Sequence, residues 1–201
     1  MNLKVDRTQE QRLGTPIHYQ DHSRHHSLVQ AIRRLLPEMN TAPIVVVCIG
    51  TDRSTGDALG PLVGSYLEGR HLPDTYIYGT LEKPVHAVNL NETIALIHAS
   101  YKDPFIIGID ACLGKQQNIG NITVSEGPVF PGAGVKKQLV PVGDINITGV
   151  VNISGFMEYS VLQNTRLNLV MNLSRVIGQS LSLALVSRKR SRFLSKLLLM
   201  D

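Results

Sequence analysis

The chain has 201 residues, 43% hydrophobic and 18% charged, a balance that excludes intrinsic disorder and suits one well-filled globular core. With 17 glycines and two cysteines it is neither collagen-like nor a disulfide scaffold, and no uninterrupted apolar run reaches the roughly 18 to 20 residues of a bilayer span, so no membrane protein is expected. The formal charge of +4 owes much to Arg188, Lys189, Arg190, Arg192 and Lys196, a basic tail over 188–201 that reads as a solvated helix end, with no specific nucleic acid as partner.

Residues 1–27 form a polar leader that carries His18, His22, His25 and His26. No Cys or carboxylate cluster stands beside them at ligand spacing, so a frayed leader is expected rather than a metal site. The leader lacks the apolar core of a signal peptide, which predicts a cytoplasmic protein with Cys48 and Cys112 reduced. From Ser27 the spacing of Leu28, Ile32, Leu35 and Leu36 predicts a helix that Pro37 stops. Ile44 to Ile49 is apolar on both faces, the pattern of a central parallel strand covered on both sides. A polar loop, Thr51 to Asp57, follows Gly50, and Leu59, Leu62, Val63, Tyr66 and Leu67 then recur at helical spacing, with Pro61 tolerated in the first turn.

The unit repeats in outline. Thr75–Leu81 reads as a strand and Leu90–His98 as its helix, and Phe105–Ile109 is a strand expected to end at Asp110. Asn121–Val124 is β-like, Gly127–Gly134 is a long loop, and Ile145–Ile153 is a further strand. A closing helix is expected from about Phe156 to Val186, burying Leu162, Leu169, Leu173, Ile177 and Ala184. This alternation predicts one α/β domain over 1–201, three-layered, with a mostly parallel sheet flanked by helices on both faces.

In such a sheet ligands bind outside the carboxyl ends of the strands, where Asp57 and Asp110 both fall. If their strands are neighbours, the carboxylates converge and repel, so one keeps its proton. The ionised partner then takes a proton from water while the protonated one polarises a carbonyl. From spacing alone, N-capping of the next helix accounts for Asp57 at least as well, and Asp110 could cap the segment after it. Cys112 reads as a small buried residue rather than a nucleophile. The loop Pro131-Gly132-Ala133-Gly134-Val135 could turn backbone N–H groups toward a substrate carbonyl, or be an ordinary connection. Signatures for nucleotide phosphates, zinc proteases and serine hydrolases are absent.

Three segments carry a resemblance. Cys48-Ile49-Gly50-Thr51-Asp52-Arg53-Ser54-Thr55-Gly56-Asp57-Ala58-Leu59-Gly60-Pro61 resembles the first motif of the bacterial germination proteases. Gly108-Ile109-Asp110-Ala111 resembles their second motif, and Val129-Phe130-Pro131-Gly132-Ala133-Gly134-Val135 their third, in the same order. Over roughly residues 40 to 187 the chain is similar to the sporulation proteins of the YyaC type, relatives that share the hydrogenase-maturation-protease-like fold. The resemblance implies that Asp57 and Asp110 are a catalytic pair and that Gly132, Ala133 and Gly134 bind substrate. Hydrogenase maturation proteases use a later His for nickel; here the last His is His98, before Asp110, so no metal and no cofactor are expected. His86 could swing in from the loop after the second strand, but reads first as a polar residue flanking a helix.

The expected protein is thus a sporulation-associated peptidase in the cytoplasm of a sporulating cell or spore. Its partner is a protein or peptide substrate, with no membrane, and self-association as a homo-oligomer is left open. The alternatives are a non-catalytic peptide-binding member of the fold, and a metal-dependent hydrolase in which the same carboxylates are ligands.

Overall fold

The computed structural model describes residues 14–37, 42–132 and 139–198, the last ten of them as backbone alone. Its elements in chain order are β1 (Ile17–His18), α1 (His25–Leu35), β2 (Ile44–Cys48), α2 (Leu59–Glu68), β3 (Thr75–Tyr78), α3 (Leu90–Ser100), β4 (Phe105–Gly114), β5 (Asn121–Glu126), β6 (Ile145–Ile153), α4 (Glu158–Gln163) and α5 (Leu167–Leu198). They build a six-stranded sheet in the order β1-β5-β6-β4-β2-β3. The pairs β2–β3, β2–β4 and β4–β6 are parallel, while β5 lies antiparallel to β6 and β1 antiparallel to β5. This is the α/β, mostly parallel architecture expected.

Helices cover the sheet unequally. Helices α1, α2 and α5 pack on one face, where Leu28, Ile32, Leu59, Leu67, Leu173 and Ile177 meet the inward side chains of β2, β4, β5 and β6. Among the described residues, α3 and the connections around Val85, Val129 and Val142 cover the other face, over Val45, Val47 and Ile106. All five residues of β2 are fully buried, as its unbroken apolar run requires.

Beyond small shifts at element ends, with β3 stopping at Tyr78 rather than Leu81, α3 running on to Ser100 and β5 to Glu126, four features differ from the sequence reading. First, the polar segment before residue 27 carries order. β1 pairs Ile17 with Ile122, and His25 and His26 open α1. Two residues are too few to leave a pattern. Second, β4 does not stop at Asp110. It continues to Gly114 because β6 continues beside it, pairing Asp110 with Thr148 and Gly114 with Ile153 across a register shift at Cys112/Leu113.

Third, the closing helix is broken between α4 and α5. The Leu162 carbonyl accepts the Gly56 N–H (2.9 Å), and Asn152 of β6 donates to the Val161 carbonyl (3.2 Å) and the Thr165 hydroxyl (3.1 Å). These outside partners hold the corner at Asn164–Arg166. Fourth, although no apolar run is continuous, Leu167–Arg188 of α5 is long and apolar enough to cross a membrane by composition. More than half of it is buried within the fold, as in the core helix of a globular protein. The expected Ala133 and Gly134 contacts, most of the basic tail's side chains and residues 1–13 lie outside the described residues.

Candidate active site

β2 and β4 are adjacent and parallel, in register from Ile44/Phe105 to Cys48/Ile109. β2 then turns away at Gly50, whose φ of +146° is open to glycine and strained for other residues. A Cβ there would lie 1.9 Å from the Asp57 carbonyl oxygen. That approach is needed because the Thr51 N–H donates to the same carbonyl (3.2 Å), closing residues 51–57 into a ring. The ring is fastened outside as well, through Gly56 N–H to Leu162 and Gly50 N–H to the Val85 carbonyl (2.8 Å). Asp57 is therefore held in place by main-chain bonds, whatever its side chain does. The N-cap position of α2 is Ala58, and no side chain caps it, so the capping reading of Asp57 fails.

Asp57 and Asp110 line one cleft of about 180 Å³, together with Gly50, Thr51, His86, Ala111, Leu113, Gly132 and Tyr159 among others. Burial raises the proton affinity of both. The Asp110 carboxyl is pushed up to about 8, mainly by desolvation and further by the charge of Asp57; a hydrogen bond from the Ala111 N–H to its Oδ1 (2.8 Å) opposes the shift. Asp57 is also raised by burial, and the nearby Ser54 hydroxyl opposes this. That hydroxyl is buried without a well-formed hydrogen bond. Near neutral pH Asp110 consequently keeps its proton.

Of the expected glycine-loop contacts, Gly132 lines the cleft. Cys112 has its thiol pushed up to about 11 by burial and by Asp110, so it stays protonated and a poor nucleophile. His86 is favoured by the sequence as a helix-flanking residue over one that swings into the site. Its backbone N–H donates to Asn89 Oδ1 (2.8 Å), its carbonyl accepts from Asn89 and Leu90, and Asn89 Nδ2 ties back to the Pro84 carbonyl (3.0 Å). It does flank α3, and it also faces the cleft. Its Nδ1 accepts the Val88 N–H (3.3 Å), which assigns the proton of the neutral ring to Nε2. The signal for this was the Pro84-x-His86-x-x-Asn89 spacing, a loop that fastens itself. Among the described residues no three His, Cys, Asp or Glu side chains converge closely enough to hold a metal ion.

The family described as "Protein of unknown function (DUF1256)" matches residues 16–180. The chain belongs to this family. The chain is also 60% identical over 141 residues to the "Uncharacterized protein YyaC" of Bacillus subtilis (strain 168), an alignment that covers 70% of this chain and 69% of that one. Both aspartates and the cleft loops fall inside the family match. Among solved structures, the hydrogenase maturation protease HycI of Thermococcus kodakarensis KOD1 overlays with a TM-score of 0.48 and 18% identity, covering 74% of this chain and 96% of that one. So distant a likeness says nothing of chemistry.

Proposed function

We propose that the protein is a peptidase of the cytoplasm of sporulating cells, hydrolysing protein segments with water activated by Asp57 and Asp110. One observation carries this reading: two carboxyls, one from the loop after β2 and one from the adjacent β4 just past the last rung between the two strands, line one cleft, and the deeper holds its proton near pH 7. The sporulation setting rests on the three ordered motifs and on nothing in the geometry.

The chemistry balances without a side-chain nucleophile. Asp57 takes a proton from water as the water oxygen bonds to the peptide carbonyl carbon. Asp110 gives its proton to the carbonyl oxygen, forming a neutral gem-diol. On collapse one hydroxyl returns its proton to Asp110, Asp57 protonates the departing nitrogen, and the C–N bond breaks. The Nε2–H of His86 is a further donor for the developing oxygen charge.

A second reading has its own observation. Val88, Phe130, Phe156 and Met157 are exposed apolar side chains on the loops that line the cleft, Phe156 at 90%, and such a rim would hold a peptide without cutting it.

The test is a mass-spectrometric cleavage assay on a mixed proteome with wild type, Asp57→Asn and Asp110→Asn, each with and without chelator. Cleavage by wild type alone, indifferent to chelator, is the expected result. Full activity in either variant would sink the dyad, loss on chelation would turn the aspartates into metal ligands, and binding with no cleavage under any condition would leave the non-catalytic reading.

A further inference from the structure

β4 outruns β2, and the cleft lies against the edge so exposed. The last rung between the two strands is the Ile49 N–H to the Ile109 carbonyl (2.7 Å). Alternate residues of a strand present their main-chain groups to the same neighbour, so Ala111 faces the side that β2 occupied, after β2 has turned away. On its other side β4 stays paired with β6 as far as Gly114.

Two observations place the cleft on this edge. Asp110 and Ala111, consecutive in the strand and therefore directed to opposite faces of the sheet, both line it, as does Leu113. A space touched from both faces abuts the strand's rim. The Ala111 N–H also has no main-chain partner among the described residues and is taken instead by the carboxylate of Asp110 (2.8 Å). An edge donor held only by a neighbouring side chain is one that an incoming carbonyl can claim.

We propose that this edge binds the substrate's main chain, an extended polypeptide segment adding to the sheet as a short strand beside Ala111–Leu113. The ligand class is an unfolded stretch of protein, taken by its backbone with little regard to side-chain identity. A carbonyl accepting the Ala111 N–H is thereby set against Asp110. This deepens the peptidase reading and rests on it for the fate of the bound segment, while the docking itself needs no catalysis.

The experiment uses the full chain as the Asp57→Asn variant, which prevents turnover, with reduced and alkylated lysozyme as an unfolded probe and native lysozyme as its folded counterpart. Amide hydrogen exchange is followed across residues 105–114. The unfolded probe is expected to slow exchange at Ala111 and Leu113 by roughly ten-fold or more, and the native form to leave it unchanged. Ala111→Pro removes the edge donor while sparing the β6 ladder, and is expected to weaken binding of the unfolded probe by about ten-fold. Binding without protection at the edge, or equal protection by native lysozyme, overturns the proposal. Cleavage by wild type with no edge protection in the variant would also overturn the docking mode and leave the peptidase standing; edge protection without cleavage would do the reverse.

Discussion

Asp110 puts a carboxyl where water is scarce, and the cost falls on the ionised form. Its folded pKa of about 8 lies far above the unfolded value near 3.9. Between those values the folded chain holds a proton that the unfolded chain has released, so stability falls as pH rises, by up to about 1.4 kcal/mol per pH unit, and levels off above pH 8. Asp110→Asn removes this dependence while keeping an oxygen for the Ala111 N–H. Denaturant unfolding from pH 4 to pH 9 should show the variant gaining on wild type as pH rises; parallel curves would mean that Asp110 titrates normally. Asp57 and Asp110 were legible as a pair because both follow apolar strand-like runs, one at once and one after a short loop, and parallel sheets gather the carboxyl ends of their strands on one side. His86 was legible only as the lesser of two readings, since main-chain and Asn89 hydrogen bonds put it in the cleft and no periodicity reports them.

At the scale of elements, glycines decide how closely α2 meets the sheet. A Cβ on Gly64 would lie 2.1 Å from the Gly79 carbonyl oxygen, so Gly64→Ala forces α2 off β3 and should cost about 1–3 kcal/mol. Gly69, just past the helix with nothing within 4 Å of its would-be Cβ and a φ of −70°, gives the opposite sign: Gly69→Ala should stabilise by about 0.4–1 kcal/mol through the unfolded state. Thermal melts of the two single variants check both. The strands were readable where residues are β-branched and buried, as in Ile44–Cys48 and Ile145–Ile153. The extension of β4 through Ala111-Cys112-Leu113-Gly114 was not, because β6 imposes it on residues with little preference of their own. The break before α5 was hidden likewise, in a bond from Gly56 a hundred residues upstream.

For the whole molecule, the uneven cover of the sheet predicts uneven resistance to opening. The face under α1, α2 and α5 holds most of the buried apolar side chains, and the face under α3 holds few. Native-state amide exchange should find α3 opening at lower free energy than α2 and the described part of α5, with the difference closing as denaturant brings on global unfolding. Equal protection of α3 and α5 would show a single cooperative unit. The loop of His86 hangs on the lightly covered side, and that of Asp57 is stitched to the heavily covered one through Leu162. The closed ring from Thr51 to Asp57 also bears on how this protein can diverge. Since main-chain bonds set the loop's shape, its exposed tip at Asp52 and Arg53 is free to drift in sequence without displacing the acid at its end. Surface charge can be gained or lost there while the two carboxyls of the cleft keep their places.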